Sequence, residues 1–301
     1  MGARGMRWGM RWGIGVLLVM AVAGCGSEAG EGDGDGAAAV AEPRLPLARY
    51  QPDDGDYGRY ADARDRLARA CMVRLGFDDL PLRAQLPGGS ARNSVRKGTV
   101  TAVRAPTPYG LLDLADARRW GYGWEPGEEA ADGRAMTDAE FDAMYTRAGG
   151  KAPAGGCAGQ TDRRVLRGVE DSTRMWNYAD GRALTLEKAA RQDPRVRRAL
   201  RSWSQCLVDK GFKRYRTPDD AYQDTAWHRG EDGNTPHARR EVSTAVADVE
   251  CKREHDTVGV WSAVLAERQR ADITAHRADY EAARRDLATL RANVRSALAD
   301  R

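Results

Sequence analysis

Cysteines, histidines and paired acids are the side chains of this chain that could do covalent, metal or acid–base chemistry. His228, His237, His255 and His276 never fall in a His-Glu-x-x-His spacing. No metal site is therefore expected. The neighbouring acids Asp53 with Asp54, Glu128 with Glu129 and Asp219 with Asp220 are of the type that glycosidases use. On a linker, a loop or a helix start, however, such neighbours serve more simply as solvated or dipole-complementing charges. The sequence has no Gly-x-Ser-x-Gly, no phosphate-cradling glycine loop and no paired Ser/Lys signature, so no catalytic residue is assigned and no cofactor is expected. Aromatic stacking is left. Trp120, Tyr122 and Trp124 could present their faces to a sugar, with Glu125 or Glu128 as a nearby acid, and they form the candidate ligand-binding stretch. The same residues also read as a helix stopped by Gly121 and an aromatic, and both readings stay open.

Cys25 belongs to a different pattern. Arg4, Arg7 and Arg11 make a basic start, and Ile14 to Ala23 is an uncharged apolar core of signal-peptide length, far short of a bilayer span. Val22-Ala23-Gly24-Cys25 closes it. Small residues at 23 and 24 let an extended backbone enter a peptidase, and the Cys25 thiol can take a diacylglycerol thioether before cleavage leaves it first in the chain. This stretch resembles the lipobox of bacterial lipoproteins; an ordinary secretory signal with a chance cysteine is the alternative. Each buried methylene contributes about 0.8 kcal/mol, so paired acyl chains hold a protein on a membrane where a single one would only visit. Residues 1–24 are thus expected to be removed, with Cys25 the lipidation site and membrane lipid the first partner. Residues 25–46, rich in Gly, Ala, Asp and Pro, are expected to form a flexible tether.

Export would place the remaining cysteines, Cys71, Cys157, Cys206 and Cys251, in an oxidising compartment, where an even number points to disulfides. Four cysteines allow three pairings. Cys71 with Cys157 and Cys206 with Cys251 is favoured, each half of the chain closing on itself, and each bridge would contribute roughly 4–5 kcal/mol in the chain-entropy model. That reinforcement matters for a chain with only three Phe and a mean hydropathy of −0.65. The formal net charge is +4, of which the three arginines of the leader supply most, and the other basic residues alternate with acids. No nucleic-acid partner is expected from such a surface.

The elements that carry these residues read as helices. Asp193-Pro194, Thr217-Pro218 and Thr235-Pro236 each set a capping side chain before a proline suited to the first helical position. Thr137 with Glu140 forms a capping box ahead of Phe141, Met144, Tyr145 and Ala148. Val196, Ala199, Leu200, Trp203, Cys206 and Leu207 recur at helical spacing, which makes Trp203 a core residue. Cys71-Met72-Val73-Arg74-Leu75-Gly76-Phe77 is echoed by Cys206-Leu207-Val208-Asp209-Lys210-Gly211-Phe212, and each reads as a last helical turn ended by a left-handed glycine. From Pro236 onward two helical pieces are expected, meeting near Asp256 to Gly259. The first would carry Val242, Val246 and Val249 on one face. The second would carry a seam of Ile273, Tyr280, Leu287 and Val294, with companions His276, Ala283, Leu290 and Ala297, packed within its own domain. Only Thr99 to Val103 suggests a strand, too little for a sheet.

The expected fold is therefore mainly α, a disulfide-stapled helical bundle following a cleaved lipoprotein signal peptide and flexible linker. Residues 47–160 form helical half 1, and residues 161–301 form helical half 2 with a long C-terminal helix. The lipobox-like stretch, the Cys-Leu-Val-x-x-Gly-Phe stop, Trp203 just before it, Thr217-Pro218 and Ala247-Asp248-Val249-Glu250-Cys251-Lys252 together resemble uncharacterised secreted lipoproteins of actinobacteria. The resemblance spans most of the chain after Tyr57 and rests on anchor, cysteines and helix stops, so it implies location and fold and brings no activity with it. It implies a lipid anchor in the outer leaflet of the cell membrane. The function expected is a non-enzymatic binding or scaffolding role in the cell envelope, toward another envelope protein or a cell-wall component; the alternative is a cell-wall glycan-binding protein or hydrolase accessory subunit.

Overall fold

Asp53, Asp113, Asp171, Asp193 and Thr217 stand where helices begin, and each accepts a backbone N–H of the first turn through its side chain. A computed structural model describes residues 42–80, 105, 107–125, 136–145, 152–230 and 233–299. Among these the elements are 3-10 turns at Pro46–Tyr50 and Thr225–Trp227 and ten α-helices, with no strand. The helices are α1 (Asp54–Arg74), α2 (Leu114–Trp120), α3 (Asp138–Tyr145), α4 (Gly156–Val165) and α5 (Ser172–Arg191). Then come α6 (Pro194–Asp209), α7 (Pro218–Tyr222), α8 (Arg239–Glu254), α9 (Thr257–Ala275) and α10 (Arg277–Ala299). Cys25, most of the tether, Glu128, Ala148 and the stretch 99–103 lie outside the described residues.

Two of the three proline starts are realised, at α6 and α7, and Thr137 and Glu140 exchange their bonds at the head of α3. Thr235-Pro236 starts nothing. Its hydroxyl donates instead to the buried Glu241 carboxylate at 2.6 Å, and His237 takes a left-handed φ of 56° that a helix excludes, so α8 begins only at Arg239. The echoed stops are both Schellman motifs. Phe77 N–H donates to Met72 O and Gly76 N–H to Val73 O, just as Phe212 N–H donates to Leu207 O and Gly211 N–H to Val208 O. Gly76 and Gly211 hold the required positive φ of 93° and 85°.

Each stop sits beside a bridge. Cys71 is joined to Cys157 and Cys206 to Cys251, the expected pairing, closing separations of 86 and 45 residues. The first ties α1 to α4, the second α6 to α8.

The two sequential halves are not the packing units. Residue 160 falls inside α4, and helices from both sides of it share each main core. Leu111, Leu114 and Tyr122 around α2 pack with Trp203, Val249 and Trp261 of α6, α8 and α9. Ala63 of α1 and Val165 of α4 pack with Met175, Leu287, Leu290 and Val294 of α5 and α10. All the described residues belong to one compact unit. Among the described residues of half 1 only α1 runs beyond three turns, and α5, α9 and α10 supply the wall against which its short helices pack.

The tether also ends earlier than expected. Leu45 packs on the main core, and Leu47 and Tyr50 of the 3-10 turn are wholly buried against Ala179, Ile273 and Tyr280. Leu47 N–H donates to Gln269 Oε1 at 3.1 Å and Tyr50 OH to Glu281 at 3.1 Å, so this turn is fastened by apolar and polar contacts together.

Beyond Pro236 there are three helices, not two. A break at Asp256, itself left-handed at φ 44°, lies where it was expected, while the break at His276 has no glycine or proline to announce it. Ile273, Tyr280, Ala283, Leu287, Leu290, Val294 and Ala297 are buried within the unit; His276 leaves the seam because it is the C-cap of α9. On α8 the valine face is only part of the buried surface. Val249 is inside, but Val242 and Val246 are half-buried, and the deepest row is polar: Glu241, Thr244, Asp248 and Lys252.

Candidate functional site

That polar row follows from spacing. Positions 241, 244, 248 and 252 recur at three and four residues and therefore lie along one side of α8, which faces α2 and α6. Asp248 is fully enclosed. Its Oδ1 accepts from Trp203 Nε1 at 2.9 Å, and its Oδ2 accepts from Lys252 Nζ at 2.9 Å and from Tyr122 OH at 3.2 Å. Lys252 Nζ also donates to Leu111 O at 2.8 Å. Burial raises the Asp248 carboxyl and lowers the Lys252 ammonium, while their mutual attraction works against both shifts. Tyr122 is pushed well up by its own burial and by the Asp248 charge beside it.

Two turns earlier, Glu241 accepts Tyr122 N–H at 2.8 Å and Thr235 OH at 2.6 Å. Gly121 makes this approach possible. A Cβ there would lie 2.6 Å from Glu241 Oε1, and its φ of 60° with ψ of −127° is open to glycine alone. The network thus locks α2, α6 and α8 together through charge that the sequence places on an otherwise apolar face.

Lys252 also separates this network from a cleft of about 290 Å3 at the junction of α8 and α9. Pro43, Leu112, Val249 and Val258 wall it with hydrocarbon. Arg253 and Asp256 add charge beside Lys252. A larger hollow of about 500 Å3 lies between the end of α4 and α10, lined by Arg163, Arg164, Arg167 and Asn293. Its guanidinium groups are exposed, and Asn293 is spent on Val165 O and Arg167 O, closing the end of α4. The smaller cleft, with buried walls and a charged corner, is the better-formed site.

The predicted aromatic stretch does not make an open platform. Tyr122 is 0% exposed and packs its ring on Trp227 at 5.5 Å and Tyr222 at 5.8 Å, so it offers no face to a sugar. Trp120 and Trp124 are half-buried. Arg119 lies over the Trp120 ring at 4.7 Å and the His237 ring meets it at 5.4 Å, while Trp124 leans on the main core with its backbone held by Asn234. Glu125 is exposed and pairs with Arg119 at 3.7 Å. Gly121 is the C-cap of α2, as the helix-stop reading required.

Cys206 Sγ, Glu254 and His255 come within mutual ligand range, but that sulfur is bound to Cys251, which leaves no thiolate for a metal. What sequence reasoning missed was the Asp248–Lys252 pair. The i,i+4 spacing of acid and lysine was visible, but only tertiary packing shows that it faces inward.

Fold and site together define a disulfide-stapled helical bundle with a charged internal lock and a small half-apolar cleft. Comparison with protein-family models, with curated proteins and with solved structures finds no match to this chain.

Proposed function

We propose that this chain is a non-enzymatic binding or scaffolding lipoprotein, tethered through lipid on Cys25 to the outer face of the cell membrane. Its helical unit meets an envelope protein or a cell-wall component there. The observation that carries the reading is the run from Arg4 to Cys25, in which basic residues, an uncharged apolar core and a small-small-Cys ending follow in processing order. Two disulfides at close helix crossings accord with an oxidising compartment. Among the described residues no helix is long and apolar enough to cross a membrane. Of the two roles in the envelope, stacking on glycan draws little support from an aromatic stretch whose central member is inside the core.

Membrane fractionation of a Cys25→Ala variant tests the proposal. The variant should be released from membranes or stay unprocessed, and mass spectrometry of the unaltered protein should find Cys25 acylated. A correctly cleaved variant that remains on membranes would refute the lipid anchor.

A further inference from the structure

Among the described residues, every charged side chain lining the hollow between the end of α4 and α10 is an arginine. Gln160, Arg163 and Arg164 share one side of α4, Arg167 continues the row in the turn that follows, and Asn293 and Ser296 of α10 border the same space of about 500 Å3. The carboxylates that flank this row, Asp162 and Glu170 in sequence and Asp286 on α10, are spent elsewhere. Asp162 pairs with Arg64 at 2.9 Å, and Glu170 and Asp286 pair with Arg174 at 3.7 and 2.8 Å, so Arg163 and Arg167 have no ion pair among the described residues. Arg164 has an interaction of its own within the chain and adds charge beside them. Capping does not account for the row, because Asn293 Nδ2 already donates to Val165 O at 3.0 Å and to Arg167 O at 2.8 Å. Like charges three and four residues apart repel one another, so a row kept without counter-charge points to a ligand that brings it.

We propose that this hollow binds a phosphate group, with Arg163 and Arg167 as its principal donors. The guanidinium of Arg163 is held in place by donation from Nη2 to Ala154 O at 2.8 Å, and its remaining N–H groups stay available. Both arginines are exposed, so a ligand reaches their donors directly. A carboxylate has two oxygens and saturates one guanidinium edge. A phosphate spreads its oxygens to several donors at once, as two arginines with Gln160 and Ser296 alongside require. The lining carries no apolar side chain, which sets aside a ligand recognised by a hydrocarbon body. Because the donors stand open to water, the phosphate can be borne on a larger molecule whose remainder stays outside; an anionic lipid headgroup and a soluble phosphate compound present the same group.

The inference adds a ligand to the binding role proposed above and rests on that reading only for its setting in the envelope. Nitrogen NMR of the full chain in neutral detergent micelles, following the Arg163 and Arg167 Nε–H resonances at fixed ionic strength, tests it. The probes are inorganic phosphate, glycerol phosphate, short-chain phosphatidylglycerol, the matching diacylglycerol and acetate. A saturable shift with either soluble phosphate supports the site and points to a soluble source; one with phosphatidylglycerol alone supports it and points to the headgroup. Acetate and diacylglycerol should leave both resonances unmoved. Arg163→Gln and Arg167→Gln, each read at the arginine that remains, should weaken binding about tenfold, the loss of one charge-assisted hydrogen bond. Arg198→Gln, which removes an exposed charge from α6, should not. The wild-type titrations decide alone if a variant fails to fold. No saturable shift with any phosphate probe, an equal shift with acetate, or equal weakening in Arg198→Gln would each overturn the proposal. Absence of acyl chains on Cys25 would end the anchor and leave these titrations unchanged, so the two failures are distinguishable.

Discussion

Replacing Asp248 with Asn should destabilise the protein by about 3–5 kcal/mol, because it removes the counter-charge of a lysine that is only 2% exposed. The carboxylate takes three side-chain donors, from Trp203, Tyr122 and Lys252, and an amide of the same shape offers one acceptor oxygen in place of two. The Tyr122 hydroxyl can turn and accept from the new amide; the Lys252 ammonium cannot. It keeps only Leu111 O. Lys252→Met is the milder change, about 2–3 kcal/mol, since Asp248 retains two neutral donors and can take up a proton. The double variant should fall short of the summed losses by at least about 1–2 kcal/mol, the coupling of a pair in contact. Equilibrium unfolding in urea with the disulfides intact, followed by Trp fluorescence and circular dichroism, measures all three. In Asp248→Asn the lone lysine has a folded-state pKa below its unfolded one. The unfolded chain then binds more protons, so the deficit should shrink as pH rises toward the ordinary lysine range. A loss below about 1 kcal/mol, or deficits that simply add, would refute the claim that this pair is coupled.

Gly121→Ala should lower stability by about 2–4 kcal/mol, combining a forbidden backbone with a Cβ pressed on Glu241 Oε1, and thermal unfolding would read it directly. Burial alone would raise the Asp56 carboxyl, but hydrogen bonds from Arg291, the Asp53 backbone and Arg59, with the Arg291 charge, outweigh it and hold the group at about 2 against an ordinary 3.8. A depressed carboxyl stabilises fully above pH 4 and loses that contribution as pH falls through 2. Asp56→Asn should therefore cost roughly 1–2 kcal/mol at neutral pH, discounted for the partly exposed Arg291, with the cost shrinking as pH falls through 2 and gone only well below it, as urea titrations across that range would show.

Local chemistry made the helix ends legible. Asp193-Pro194, Thr217-Pro218, the Thr137–Glu140 box and the two Gly-Phe stops need only neighbours in sequence to act, and all of them act as read. Thr235-Pro236 failed because its hydroxyl met Glu241, six residues on and across a turn of chain that no local rule describes. The polar row of α8 was hidden for a related reason. Hydropathy counts Asp248 and Lys252 as surface, and Trp203 of α6, Tyr122 just beyond α2 and the Leu111 carbonyl, all distant in sequence, make their burial tolerable. The mixing of the halves was equally non-local: the fit of α10 between α1 and α5 depends on shapes assembled far apart in the chain.

The fastening of the 3-10 turn has a mechanical meaning. Any load pulled through the segment before Leu45 reaches the body at Leu47 and Tyr50, and it must draw two enclosed side chains from between the long helices before α1 is stressed. Pro43 would yield first. Pro43 also forms one wall of the cleft at the junction of α8 and α9, so a pull on the segment before Leu45 reaches that wall before it reaches Leu47 and Tyr50.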